Sequence, residues 1–313
     1  MYKKISEVDY KEKPYMILKL TNIQYKKTTS NADYVSAIGF DGVEQIDVKI
    51  WRLTDEIRQI IKTGEVYIAH GEIRDYQGKK QLNIDELSVA SESECNLDDF
   101  YEYAPLTIEE LQVKISSYIK MIENETLQLI VKKIVSKYSN EYFSYPAAVS
   151  IHHNFISGLA YHAYSMLVLS ENYLRLYPYL NKNLVYAGII LHDIGKVKEL
   201  SSSKGPEYTE EGNLMGHISI GANILNSVCE NMGLSGKEEV LALEHIILSH
   251  HGKNEYGSPV TPSIPEAALI FMLDFCDSRL AALGKALKDV KKGERTEPVL
   301  AFDKKAFYVP KID

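Results

Sequence analysis

Residues 191–196 read Leu191-His192-Asp193-Ile194-Gly195-Lys196. They close an apolar run over 183–191 and lead into a polar loop rich in Ser and Lys. An imidazole followed at once by a carboxylate, on a hydrophobic helix that stops at a glycine, sets both where one metal ion can take them. One such pair proves little, because a buried His satisfied by its neighbours is the commoner case. Here the pair has company. His162 lies upstream, and His217, His250, His251 and Asp274 lie downstream, each on or beside its own predicted helix. Most of the nine histidines fall in this half of the chain, a ligand-like distribution. Mixed imidazole and carboxylate donors suit Mn²⁺, Fe, Co²⁺, Ni²⁺ or Zn²⁺. The single carboxylate of Asp193 can bridge two ions, one oxygen to each, as in phosphoesterases whose ions stand about 3.5–4 Å apart.

The elements that must carry these residues are helices. Periodic apolar positions predict helices over 155–176 (with His162), 183–191 (delivering His192 and Asp193), 218–232 (opened by His217), 237–251 (ending in His250 and His251) and 265 to about 290. Gly252 suits the C-terminal cap of the fourth and Pro265 the first turn of the last. Residues 201–214 are expected to form a loop, and 254–264 a long connection. Thr107 with Glu110 is a capping-box spacing that starts a helix after Pro105, and a second runs over 126–138.

The first ninety residues have another texture. Alternating runs over 15–25, 34–40, 45–51, 65–74 and 81–89 predict five strands, with Asp41-Gly42 as a hairpin turn. A short helix over 54–61, capped by Thr54, separates the third strand from the fourth. Three strands, a helix and two strands are the order of an OB-type barrel. Such barrels hold single strands through aromatic and basic side chains on one face. Tyr34, Phe40, Trp51, Tyr76, Lys49, Arg52, Arg74, Lys79 and Lys80 are the candidates, with Tyr34, Phe40, Lys49, Trp51 and Arg74 foremost, although aromatics in short strands are most often core. Trp51 alternates in phase with Lys49, which favours the exposed face for both. An acidic stretch over 91–103 reads as a linker. The expected division is a barrel over 1–94, linker and connecting helices over 95–145, and a helical domain over 146–313: a multidomain chain, all-β then all-α.

The net charge is −8 over 313 residues, so any nucleic-acid surface must be a local groove. The three cysteines, Cys95, Cys229 and Cys276, form neither a disulfide framework nor a zinc spacing. With no apolar run of bilayer length, a cytoplasmic chain without a membrane partner is expected. A phosphate loop, a nucleophile elbow and a dinucleotide fingerprint are all missing.

The pattern His…His-Asp…His…His-His…Asp on a helical background resembles the HD-domain metallophosphohydrolases. By that resemblance His162, His192, Asp193 and Asp274 would hold one ion, and Asp193, His217, His250 and His251 the second. Asp277, three residues after Asp274, can share its helix face; Asp274 fits the family's last aspartate better, leaving Asp277 to support the ligands or face substrate. His152 and His153 suit a direct metal ligand, substrate contact or ligand support, and for His245 the bland structural reading wins. Lys196 suits a phosphate as well as it suits a solvated loop. A barrel followed by such a domain is similar to the YhaM-type 3′-to-5′ exoribonucleases across essentially the whole chain. The most specific segments are 157–162, 191–196, 216–217 and 248–252. What that resemblance implies is removal of nucleoside monophosphates from single-stranded RNA, or single-stranded DNA, by two-metal activation of water, with Mn²⁺ as activator. Asp193 and Lys196 would then be catalytic. Two other readings stay open: a nucleotidase or cyclic-dinucleotide phosphodiesterase, and a nucleic-acid binder whose helical half is structural. A homo-oligomer is also left open.

Overall fold

The computed structural model describes residues 2–149 and 154–312. His152 and His153 lie outside the described residues. Contacts divide the chain into Met1–Glu102 with Lys204–Glu207, and Tyr103–Ser203 with Tyr208–Asp313.

The first unit is a closed five-stranded barrel of β1 (Tyr15–Lys27), β2 (Asp33–Phe40), β3 (Gln45–Ile50), β4 (Val66–Tyr76) and β5 (Lys79–Val89), ordered β1-β2-β3-β5-β4. Only the β3–β5 pair is parallel. That order and closure make it an OB-type barrel. Alternation sends Met16, Leu18, Leu20, Val35, Val48 and Ile50 inward to a shared core. The Asp41-Gly42 hairpin turn is fastened by Asp41, whose Oδ1 accepts from the amides of Val43 and Glu44, both at 2.8 Å. Helix α1 (Asp55–Ile60) is capped by Thr54, whose Oγ1 accepts from Ile57 N at 3.2 Å. The acidic stretch over 91–103 contains a 3₁₀ turn, Leu97–Phe100, and Phe100 is buried with Ile17, Val66 and Ala90. Phe100, in a run dominated by Ser, Asp and Glu, belongs to no alternating pattern, so the alternation gave no sign of this anchor.

The second unit is helical: α2 (Ile108–Lys120), α3 (Glu125–Lys137), α4 (Ser139–Ser144), α5 (Gly158–Leu176), α6 (Lys182–Leu191), α7 (Lys196–Glu199), α8 (Glu210–Asn231), α9 (Glu238–Ser249) and α10 (Pro265–Leu287). Helix α2 carries the full capping box of Thr107 and Glu110. Its apolar stripe and that of α3 join the same core as α5, α6, α8, α9 and α10. The expected loop over 201–214 is shorter than its composition suggested. Helix α8 starts at Glu210, with Thr209 Oγ1 accepting from Gly212 N at 2.9 Å. Thr209 followed by Glu210 and Glu211 is a helix-start signal that the nearby glycines outweighed in the sequence. Gly216 then breaks the helix at φ 68°, so His217 does begin a fresh helical segment. Among the described residues no helix is long and apolar enough to cross a membrane.

Candidate metal centre

Four helices converge on Asp193. It follows His192, the C-terminal cap of α6, and is 4% exposed. Helix α5 presents His162, α8 presents His217 just past its break, and α9 ends at His250 and His251. Helix α10 brings Asp274 and Asp277. Gly195 makes the approach of α7 to α8 possible: a Cβ there would lie 1.9 Å from the carbonyl oxygen of His217.

The two oxygens of Asp193 face different groups. Oδ2 is 3.3 Å from His192 Nε2 and 4.0 Å from His162 Nε2. Oδ1 is 3.5 Å from His217 Nε2 and 3.6 Å from His250 Nε2. Asp274 Oδ1 joins the first group, 3.2 Å from His162 Nε2. His251 joins the second; His217, His250 and His251 each offer a ligand atom within 4.8 Å of the others, and so do His162, His192 and Asp193.

Every imidazole is held by its other nitrogen. The Nδ1–H groups of His192 and His250 donate to the carbonyls of Ile189 and Ile247, both at 2.7 Å. His251 Nδ1 donates to Tyr256 O at 2.8 Å. Carbonyls only accept, so in each neutral ring Nε2 keeps its lone pair for the centre. Two carboxylates do the same work with charge. Asp277 Oδ2 accepts from His162 Nδ1 at 2.7 Å, and Glu199 Oε1 accepts from His217 Nδ1 at 3.1 Å and from the His217 amide at 2.8 Å. Carboxylate–histidine pairs of this kind orient metal ligands and raise their basicity. The geometry therefore separates two neighbouring acids: Asp274 lies on the Nε2 side of His162, and Asp277 lies behind it. Glu199 was missed in the sequence; its spacing of 18 residues from His217 carries no helical or strand period.

Lys196 is neither in a loop nor solvated. It opens α7, is 9% exposed, and places Nζ 2.6 Å from Asp193 Oδ2. Burial alone would raise the Asp193 pKa; Lys196 and then His192 overcome it and hold the carboxyl well below its ordinary range. Burial likewise works against the Lys196 ammonium, and Asp193 more than offsets it. His162 is pushed up to about 10: burial opposes the charge, and hydrogen bonds to Asp274 and Asp277 win. His250 and His251 go the other way, lowered first by burial.

The donor set fits divalent cations. His192 Nε2, Asp193 Oδ1, His217 Nε2 and His250 Nε2 are buried without a hydrogen-bond partner. Each such orphan costs about 1–3 kcal/mol, and coordination to a cation removes that cost for all four. His245 stands apart, its Nε2 accepting from Ser263 N at 2.9 Å.

On the barrel, three of the proposed contacts come together. The rings of Tyr34 and Trp51 stack with centroids 4.6 Å apart, and Lys49 Nζ lies 5.9 Å from the Tyr34 centroid. Trp51 is 49% exposed. The other two lie elsewhere. Phe40 packs beside the Ile17–Phe100 cluster, and Arg74 is paired with Glu72 at 3.0 Å. Phe40 was a candidate by residue type; the 3₁₀ turn whose cluster it packs against comes from a distant segment.

A family model described as the HD domain matches residues 159–279. Among solved structures, a domain of replication protein A from Methanococcus maripaludis aligns with 29% of this chain and 97% of its own, at 18% identity and a TM-score of 0.25. The second OB-fold domain of replication protein A from the same organism gives 29%, 96%, 14% and 0.24. Scores at that level carry no argument. The full-length comparison does: the chain is 38% identical over 311 residues, covering 99% of itself and 96% of its relative, to a protein named 3′-5′ exoribonuclease YhaM from Geobacillus sp. (strain WCH70). Identity at that level over nearly every residue of both chains means that this chain belongs to the YhaM exoribonuclease family.

Proposed function

We propose that this protein hydrolyses single-stranded RNA from its 3′ end, releasing nucleoside monophosphates, with two divalent ions, Mn²⁺ first among them. The observation that carries the reading is the division around Asp193: one oxygen faces His162 and His192, the other His217 and His250. Family membership supplies the substrate class and the direction. His162, His192, Asp193 and Asp274 would hold one ion; Asp193, His217, His250 and His251 the other. Bound there, divalent ions supply Lewis acidity toward the phosphodiester, lower the pKa of water and offset charge on the attacking and leaving oxygens.

The chain's own part is positioning. Asp277 and Glu199 fix the rings of His162 and His217, so that their Nε2 atoms are aimed before any ion arrives. Lys196 holds Asp193 ionised and in one rotamer. Its ammonium also leaves the centre less negative, which favours an anionic phosphodiester. Tyr34, Trp51 and Lys49 supply a stacking platform and a cation on the barrel. The test uses short single-stranded RNA labelled at either end, incubated with the Mn²⁺-loaded protein, with single-stranded DNA in parallel. A 5′ label should shorten one nucleotide at a time, and a 3′ label should leave at once as a mononucleotide. Cleavage only of free nucleotides or cyclic dinucleotides would overturn the reading.

A further inference from the structure

Beside the metal centre, within the helical unit, runs a groove of about 590 Å³. One wall is a stripe of α5: Tyr161, Tyr164, Val168 and Leu169. Tyr161, Tyr164 and Val168 are three and four apart, which keeps them on one helix face, and Leu169 borders that face. They begin one residue before His162, whose ring turns inward. The other wall is a stripe of α10, with Leu280 three residues after Asp277. Asp277 lines the groove and binds His162 Nδ1 at 2.7 Å, so the groove and the metal centre share a side chain.

The lining has a definite chemistry. Val168, Leu169 and Leu280 are 42%, 38% and 58% exposed, an apolar strip left open to solvent next to a polar site. Phe155 meets Tyr161 edge to face at 6.0 Å, and Lys114 Nζ lies 5.2 Å from the Tyr164 ring centroid, steadying that ring. Among the described residues of the lining, the charged one is Asp277. A carboxylate among apolar and aromatic side chains repels a phosphate and suits the flat, weakly polar surface of a base. The volume falls in the usual range of about 300–1,000 Å³ for a small-molecule pocket, which is room for a nucleoside.

The geometry points to this groove as the site of the base of the 3′-terminal nucleotide. The inference rests on the exoribonuclease reading above: with the scissile phosphate at the metal centre, one nucleoside lies beyond it, and this groove reaches Asp277, which holds the ring of the ligand His162 from behind. Held there by stacking and apolar contact, the terminal base would orient its phosphate toward Asp193 without any demand on base identity.

Three single-stranded RNAs test it, on the full chain loaded with Mn²⁺: one intact, one abasic at the 3′-terminal position and one abasic at the penultimate position. Loss of the terminal base should lower kcat/KM about tenfold, the scale set by one stacked base. Tyr161→Ala and, separately, Leu280→Ala should reduce cleavage of intact RNA while leaving the abasic-ended RNA at the wild-type rate, with metal content unchanged. That non-additivity separates base contact from a merely structural role. Equal cleavage of intact and terminally abasic RNA overturns the inference, and so does a loss that follows the penultimate base, or an equal loss on every substrate in both variants. Failure of the wild-type protein to cut intact RNA refutes instead the exoribonuclease reading, and this inference with it.

Discussion

Asp193 carries two jobs that one substitution can pull apart. Asp193→Asn keeps the side chain's size and removes the charge shared by both groups of imidazoles. Metal content and RNA hydrolysis should both collapse, which elemental analysis and a gel assay would show. The same change strands the buried Lys196 ammonium, and breaking a buried ion pair from one side costs about 3–5 kcal/mol. Asp193→Asn should therefore also unfold more easily in urea, and adding Lys196→Met should restore part of the stability and none of the activity. Full stability of the single variant would mean that the Lys196–Asp193 contact of 2.6 Å contributes little. The acids behind the ligands act more gently. Asp277→Asn and Glu199→Gln should each retain ions at saturating metal and weaken affinity by about 10–100-fold, whereas Asp274→Ala should lose metal outright. A metal titration followed by calorimetry separates these outcomes.

His162 adds a proton to the same balance. Its folded-state pKa near 10 exceeds the ordinary 6.5, so at neutral pH the metal-free chain holds a proton that an incoming ion must displace. Metal loading at pH 7 should release protons, measurable as a dependence of binding heat on the buffer's ionisation enthalpy, and apparent affinity should fall as pH falls. In the metal-free protein the raised pKa also stabilises the fold. That contribution is present in full below about pH 6.5 and is lost as pH rises through about 10.

Between helices, the decisive contact is backbone on backbone. Gly195 lets the start of α7 lie against α8 where a Cβ would sit 1.9 Å from His217 O and 2.7 Å from Gly221 N. Those neighbours are main-chain atoms in a helix and cannot swing aside. Gly195→Ala should cost at least the 1–3 kcal/mol or so typical of overpacking, and should shift His217 and Asp193 apart, lowering the melting temperature and the metal affinity together. An unchanged melting temperature would show that α7 can retreat without loss. Gly216 matters differently: its φ of 68° ends one helical segment and lets His217 start the next at an angle that a continuous helix would not give.

At the scale of the whole chain, the proposed function assigns the phosphodiester chemistry to the helical unit and strand stacking to the barrel. The Tyr34–Trp51 stack is open to solvent on the barrel, and ions held at the metal centre would grip only the phosphates nearest the cut. Trp51→Ala should therefore weaken binding of long single strands about tenfold, as the loss of one stacked base implies, and leave a dinucleotide cleaved at the wild-type rate. Salt should weaken long-strand binding in both proteins, because backbone contacts release counterions. An equal effect of Trp51→Ala on short and long substrates would remove the barrel from substrate binding.

The sequence by itself determined the elements and marked the candidate donors. Alternation with period two and apolar spacing near 3.6 are local, so five strands, a capped α1 and the long helices could be read from neighbours a few residues apart. The adjacent pairs His192-Asp193 and His250-His251 came with them, because adjacency fixes both members to one helix end. What depends on residues far apart in the chain needed the tertiary structure. The burial of Phe100 against Ile17, 83 residues earlier, and Val66, 34 residues earlier, the placing of Asp277 behind His162 across 115 positions, and the capture of Lys196 by Asp193 rather than by solvent were decided by packing. Period says which face of a helix a side chain takes; only the assembled core says which nitrogen of a ring that side chain will meet.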